Sequence, residues 1–459
     1  MPQQDLHARG VRCNSVYLWQ ALQWLMRGCQ WSEVALRADC SWTAKWLAAA
    51  ALLWAWSDEG TLRERFICSR RLVMHLRDEQ TELAGSYQAF LKLLRRWTGE
   101  LVTLLQHALR WQMQQFEQHW KLHGLVVIGV DGSRINLPRT KSHQAAYAPT
   151  RTSQRRKKTG RGKQRKPSRQ KHAEGPQFWL TTMYHVALHL PWDWRIGPSN
   201  SSERADALEM LATIPEKSLL CGDAGFVGYE FVRSVLATNR GLLVRVGSNV
   251  KLLKKLGFVR ENSQTAYVWP DKVASRNDPP LVFRHITVQG PRSTIHLVIS
   301  LPEGQKLSDQ QVAEIYRARW GVEVFYRQFK QTFQRRKLRS HAAANARVEL
   351  EWSLVGLCAI LLYASHELVR QNIALKRLSA AGSLRAFRQM ARDYLHPANP
   401  RDTLRIRLRQ SLVDTYYRSN KASRDYPHKK QTRITGPPKI LQATEQQRQR
   451  AKTIKQLQK

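Results

Sequence analysis

The sequence predicts a multidomain α/β protein with helical, basic ends and a β-rich insertion, and three observations carry that prediction. Leu, Ala and Trp recur at three- and four-residue steps through residues 1–120, with no proline between Pro2 and Pro138. Beyond Gly124, short apolar runs closed by Asp or Gly alternate with polar helical stretches. From 248 to 301 the pattern stays extended, enriched in Val, Tyr, Ile and Thr and punctuated by Pro and Gly. At 459 residues, 42% of them apolar and 16 of them Trp, the chain can fill the cores of two or three domains.

Taken in order, 1–120 reads as a helical N-terminal domain, a plausible seat for DNA recognition; its stretch 32–47 is a candidate helix-turn-helix, and its aromatics fit a core better than a base-stacking surface. The run 125–130 reads as a central strand closed by an Asp131-Gly132 turn, with 134–137 as its return. Residues 151–171 carry eleven Arg or Lys and no acid, too polar to order themselves, and read as an inserted arm. Strand-like 178–188 and a polar helix over 201–212 follow. A buried strand at 218–222 ends at Asp223, with a helix around 229–237 and a strand at 241–246 after it. Helix returns from Ser308 to about Arg335, and an apolar helix spans 349–368. Helical periodicity thins over 371–417, and 418–459 reads as a mobile tail.

Charge narrows the partners. Subtracting 35 acidic from 75 basic residues leaves +40, a self-repelling excess whose natural counterpart is a polyanion. The six cysteines show no C-x-x-C spacing and read as reduced core thiols, not as a zinc site or a disulfide framework. Apolar stretches at 46–56 and 354–364 are about half of the roughly 20 residues a membrane span needs, and no secretory signal is evident at the start. The expectation is a cytoplasmic, nucleic-acid-facing protein without a membrane partner.

Against this basic background three acids stand out. Asp131 and Asp223 close apolar strands, where rigid backbone fixes a side chain at the rim of a sheet. Each alone is equally read as a turn residue or a helix N-cap. In the helix from Ser308, Tyr316, Arg319, Glu323 and Lys330 project on an ideal helix to roughly 0°, 300°, 340° and 320°, a single face about 60° wide. Such a stripe has to meet something charged, unless it is a salt-bridged solvent face.

Tyr316-x2-Arg319-x3-Glu323-x6-Lys330 resembles the signature around the catalytic glutamate of the bacterial insertion-sequence transposases of family four, relatives of the Tn5 and Tn10 transposases. Asp131-Gly132-Ser133 with Leu137-Pro138 is similar to the family's first-aspartate segment, Asp223-Ala224-Gly225-Phe226 to its second, and Arg319-Trp320 is also family-like. Asp131 and Asp223 lie 92 positions apart, Asp223 and Glu323 100, and the resemblance covers about 120–370. Some relatives hold a flipped base with a tryptophan of the inserted β-domain; here the last strand of the insert opens with Ile295 and His296, and Trp269 is the insert's one tryptophan.

The resemblance implies a DDE enzyme with an RNase H-like core. Its segments would be 1–120, a helical DNA-binding domain; 121–247, the first part of the core, with the basic arm at 151–172; 248–307, the β-rich insertion; 308–370, the rest of the core with the glutamate helix; and 371–459, a helical basic region with a possible dimerisation role. Asp131, Asp223 and Glu323 would be the catalytic, metal-holding acids, with Asp131 bridging two Mg²⁺ ions for which Mn²⁺ substitutes. Two such ions about 4 Å apart activate the attacking oxygen and stabilise the leaving 3′-oxygen, and hard carboxylate oxygens suit them. Tyr316, Arg319 and Lys330 would grip flanking phosphates. The arm residues Arg155, Arg156, Lys157, Lys158, Arg161 and Lys163 would clamp DNA through counterion release. The implied reaction is cleavage at the ends of an insertion sequence and 3′-hydroxyl strand transfer into double-stranded target DNA, by a homodimer in a synaptic complex near the bacterial nucleoid. Many relatives pass through a hairpin intermediate. The alternatives are an RNase H-like nuclease without strand transfer and a non-catalytic, transposase-derived DNA-binding protein.

Overall fold

The computed structural model describes residues 13–77, 83, 85–148, 175–248, 257–260, 265–290 and 294–413, with short stretches at 436–438, 444–446, 449–450 and 452–453. Four helices come first: α1 Asn14–Leu25, α2 Ala44–Trp56, α3 Leu62–Arg77 and α4 Tyr87–Gln114. Thr43 and Ser86 cap α2 and α4 by accepting from the N–H groups of Trp46 and Ala89. Helix α2 is apolar all round and buried over most of its length, as a central core helix must be. Trp42, Trp54 and Trp56 are buried with Phe66 and Phe90, so these aromatics are packing. The stretch 32–47 is not a helix-turn-helix. A single 3₁₀ turn, Trp31–Glu33, leads into irregular chain up to Thr43, because no apolar stripe of helical period exists there to be buried.

The sheet strands are β1 Val127–Asn136, β2 Gln177–His185, β3 Leu190–Pro198, β4 Leu219–Gly222, β5 Gly241–Val246, β6 Gly257–Arg260, β7 Thr265–Val268, β8 Leu281–Gln289 and β9 Thr294–Ser300. They form one mixed sheet in the order β3-β2-β1-β4-β5-β9-β8-β7-β6, with β1–β4 and β4–β5 parallel and the remaining pairs antiparallel. β8 and β9, from the stretch 248–307, extend this same sheet through β5. Short helices α5 Lys141–Tyr147, α6 Glu203–Met210, α7 Tyr229–Ala237 and α8 Asp271–Ala274 fill the connections.

Two local expectations are corrected. Asp131-Gly132 is not a turn: β1 runs straight through it, with Asp131 opposite Thr182 and Gly132 opposite Thr181. The local sequence has a turn's chemistry, but β2 offers ladder partners along the whole of β1, and tertiary pairing wins. Nor is 308–335 one regular helix. α9 Asp309–Ala318, started by a Ser308–Gln311 capping box, passes through a tightened turn at Arg319-Trp320 into α10 Gly321–Arg327 and then a π-helical turn, Gln328–Thr332. Gly321 allows the close approach here, since a Cβ would lie 2.7 Å from the Tyr184 ring.

Helix α11 Ala343–Val369 is long and apolar enough to cross a membrane, yet 89% of its most apolar window is buried inside the protein, packed on α2 and α4. The cross-links to the N-terminal helices are specific: Trp56 Nε1 donates to the Gly356 carbonyl (2.8 Å) and Trp352 Nε1 to Thr98 Oγ1 (3.0 Å). Fully buried Arg335 donates to the Ala55 carbonyl, the Phe333 carbonyl and Ser353 Oγ at 2.9, 2.9 and 2.7 Å. Helices α12 Ala380–Arg392 and α13 Leu404–Gln410 complete the described chain, and Phe387 and Met390 of α12 are spent on this core. Only Cys221 and Cys358 are buried thiols; Cys68 is exposed, and Cys13, Cys29 and Cys40 are half-buried, which corrects the expectation of six core thiols. Because Arg335 alone serves three buried acceptors from two parts of the chain, Arg335→Leu should cost about 2–4 kcal/mol, read as a fall in the urea midpoint; an unchanged midpoint would deny the staple.

Candidate active site

The register of two parallel strands builds the centre. Gly129 of β1 stands beside Cys221 of β4. Asp131 and Asp223 each lie two residues beyond that pair, so strand alternation brings both to the same rim at about the interstrand spacing of 4.8 Å. Tyr326 fixes the Asp131 backbone, its hydroxyl lying 2.8 Å from the Asp131 carbonyl oxygen and 3.0 Å from that of Leu180. Asp131 Oδ1 accepts from the Gly132 N–H (2.9 Å), and Asp223 Oδ1 from the Gly225 N–H (2.7 Å).

Across this rim runs the α9–α10 segment. At Gly129 a Cβ would meet Arg319 Cγ at 3.6 Å, so the bare backbone lets Arg319 lie on the sheet. Arg319, 7% exposed, stacks over the Tyr316 ring and donates through Nη2 to Glu323 Oε1 at 3.1 Å. Its Nε and Nη1 are buried with no protein partner among the described residues. Lys330 Nζ donates to Ser133 Oγ at 2.6 Å, two residues along β1 from Asp131. The four residues of the helix motif therefore face the acids and the end of β1. Trp320, beside them, is 58% exposed. Trp269 is buried, with Nε1 donating to the Asp278 carbonyl, and is a core residue. Arg155, Arg156, Lys157, Lys158, Arg161 and Lys163 lie outside the described residues, as does most of 418–459.

One acid that the sequence reading missed joins the group. Glu203, the first residue of α6 after the N-cap Ser202, reaches β1 beside Asp131: a Cβ on Gly132 would collide with Glu203 Oε1. Nothing in the Ser-Ser-Glu-Arg sequence separates it from an ordinary first-turn glutamate, which the helix dipole favours anyway. Burial pushes the Glu203 carboxyl up to about 7, helped by the charges of Asp131 and Asp223. Burial likewise raises Asp131 to about 6, against the pull of the Gly132 N–H and Arg319, with Asp223 and Glu323 adding to the rise.

Desolvated like charges at one rim are an arrangement that an inserted cation relieves, and carboxylate oxygens are the donors a hard divalent ion takes. Among the described residues no three acidic, histidine or cysteine side chains converge on one point as they stand. Each carboxylate is instead turned onto a local donor, Gly132, Gly225 or Arg319, and side-chain rotation would free the oxygens for a shared ligand. The donor set fits the ion.

The site is thus an α/β sheet with acids at its parallel-strand rim, backed by an arginine with two donors unpaired among the described residues. Residues 122–362 match the model of the transposase DDE domain, and the chain belongs to that family, whose chemistry implies a divalent metal cofactor. It is 22% identical over 260 residues, 53% of each chain, to the transposase InsG for insertion sequence element IS4 of Escherichia coli (strain K12), and so spans about half the length of that relative. A solved piggyBac transposase synaptic complex with hairpin DNA overlaps it at a TM-score of 0.40 with 10% identity, covering 89% of this chain and 88% of the other, a likeness too slight to build on.

The raised carboxyls set a pH dependence. Asp131 and Glu203 hold protons to about 6 and 7 in the folded chain, above ordinary values of 3.8 and 4.5. Between about pH 4 and 7 the folded state therefore binds more protons than the unfolded one, so stability in chelator falls as pH rises through that window. Asp131→Asn should remove part of the fall and raise Tm in EDTA at about pH 8 by about 1–4 °C, measured by calorimetry. A lower Tm there would mean that Asp131 is already neutralised by a partner.

Proposed function

We propose that this chain is a metal-dependent DNA transposase that cuts at the ends of its own insertion sequence and joins the freed 3′-hydroxyls to target DNA. The observation that carries the reading is the meeting of Asp131, Asp223, Glu323 and Arg319, from three distant parts of the chain, at one sheet rim. The strand order β3-β2-β1-β4-β5, three antiparallel-linked strands followed by two parallel ones, supports an RNase H-like core over 121–247 and 308–370. In this reading 1–120 recognises DNA, 248–307 is an insertion that lengthens the sheet, and 371–459 is a basic C-terminal region.

Asp131, Asp223 and Glu323 would hold two divalent ions, Mg²⁺ or Mn²⁺. When bound, such ions activate the attacking water or 3′-hydroxyl and stabilise the leaving 3′-oxygen. Asp131, which feels the charges of both other acids, would hold the ions together with them. Arg319 spends one nitrogen on Glu323 and keeps two donors for the phosphate, so it sets the acid and the strand in one geometry. Lys330, held on Ser133 and half-buried, adds a point charge at the adjoining phosphate. Tyr316 supports Arg319 from beneath. The arm residues Arg155, Arg156, Lys157, Lys158, Arg161 and Lys163 extend the grip to flanking or target DNA. Two element ends handled together call for a homodimer in the synaptic complex, and a net charge of +40 suits double-stranded DNA as the partner.

The test incubates purified full-length protein, Mg²⁺ and DNA carrying the element's end with supercoiled plasmid. Joined products on a gel are expected; cutting without joining would leave a nuclease, and a mobility shift alone a DNA-binding protein. Asp131→Asn, Asp223→Asn and Glu323→Gln should each lower cleavage by roughly three orders of magnitude, the scale on which lost charge stabilisation acts. Arg319→Lys should lower cleavage about 10- to 100-fold while leaving Mn²⁺ binding in place, because an ammonium cannot serve carboxylate and phosphate in one plane. Unchanged cleavage by that variant would remove Arg319 from the phosphate grip.

A further inference from the structure

Glu203 has features that an ordinary first-turn glutamate lacks. Its helix is stapled in place: Thr181 Oγ1 donates to Asp206 Oδ2 at 2.6 Å, tying α6 to β2, and Arg204 Nε donates to the Gly225 carbonyl at 2.7 Å, tying it to the turn after Asp223. A side chain on the first turn points back past the helix N-terminus, and here that direction is the carboxyl rim of β1 and β4. It faces two glycines, Gly132 within β1 and Gly225 in the turn after Asp223. A Cβ at Gly132 would collide with Glu203 Oε1 and lie 2.7 Å from its Cδ, so the carboxylate occupies the space which that glycine leaves. At Gly225 a single added Cβ would lie 2.9 Å from Asp223 Oδ1 and 3.8 Å from Glu203 Oε2, which puts the two carboxylates around one point.

Neutralisation is the second, separate feature. The chain holds 75 Lys and Arg against 35 Asp and Glu, yet among the described residues the Glu203 carboxylate makes no ion pair and no hydrogen bond. The adjacent Arg204 spends its Nε on backbone instead. Asp131, Asp223 and Asp206 surround Glu203 with charge of its own sign. An acid held rigidly against other acids, in a protein so rich in cations, has no ion-pair partner among the described residues, and Arg204 acts on it only at a distance.

The geometry points to Glu203 as a fourth carboxylate of the divalent-metal site, taking one ion together with Asp131 and Asp223 from the α6 side of the sheet, opposite Glu323. This rests on the reading proposed above that those aspartates hold metal. It assigns the two ions different surroundings: one between Asp131 and Glu323 under the Arg319 guanidinium, the other among Asp131, Asp223 and Glu203, where among the described residues no guanidinium donates to a carboxylate. The second is the more anionic, so it fills first as the divalent ion is titrated in.

The experiment is a titration of Mn²⁺ into the full-length protein without DNA, with free ion followed by electron paramagnetic resonance. Wild-type protein is expected to bind Mn²⁺, Asp131→Asn to lose it, and Glu203→Gln to weaken the tighter binding step about ten-fold or more. Glu203→Ala should do the same, and Glu209→Gln, whose carboxylate lies beside Arg195 instead, should match wild type. A melting temperature in EDTA at or above that of wild type marks each Glu203 variant as folded, since it removes a repulsive charge. If folded Glu203→Gln and Glu203→Ala both bind as wild type while Asp131→Asn does not, Glu203 is no ligand and the transposase reading stands. If Asp131→Asn also binds as wild type, the metal site itself is misplaced and both readings fall.

Discussion

The in-register parallel pairing of β1 with β4 is the constraint on which the rest of this site depends. Because Gly129 and Cys221 are partners, Asp131 in β1 and Asp223, one residue past the end of β4, emerge side by side at one rim. That placement costs free energy through like-charge repulsion and desolvation, and the surroundings are arranged to hold it. Backbone N–H groups meet one oxygen of each aspartate, Tyr326 anchors the Asp131 carbonyl, and Arg319 lies over the bare backbone at Gly129. A slip of one residue in that ladder would turn one of the two carboxylates to the other face, part it from its neighbour and dissolve the site.

The α9–α10 segment answers the same constraint from above. A regular helix would carry Arg319 and Glu323 on one stripe, but the chain tightens at Arg319-Trp320 and widens at Gln328–Thr332. Those departures bring Arg319 down onto the sheet, keep Glu323 in its reach and leave Lys330 on Ser133. Backbone irregularity next to chemistry is the usual way a helix re-aims a side chain without losing its hydrogen bonds. The same turn leaves Trp320 exposed beside the site.

The N-terminal helices are not a separate bead. Trp56, Trp352 and Arg335 cross-link α2 and α4 to α11 and to the chain just after the π-helical turn, so the floor beneath the glutamate segment is shared between the two ends of the protein. An aromatic cluster that reads in sequence as a helical domain's own core is thus also the foundation of the site. The N-terminal helices are thereby tied to Arg335, a few residues past the segment that carries Glu323.

Periodicity, charge and motif spacing were enough to determine the α/β class, the helical ends, the strands at 218–222 and 241–246, the helix at 229–237 and the candidacy of Asp131, Asp223 and Glu323. These are local signals: a helical stripe or an apolar run reports its own burial, and a four-residue motif its own spacing. Only the tertiary structure decided that Asp131-Gly132 lies inside a strand, that the glutamate helix is irregular, that 32–47 is not a helix-turn-helix, and that Glu203 stands with the aspartates. Each of those depends on a partner distant in sequence: β2 for the strand, the Tyr184 ring for the turn at Gly321, the glycines at 132 and 225 for Glu203. A single chain read in order carries no record of which distant backbone will leave room for a side chain, so proximity of that kind is settled by packing alone.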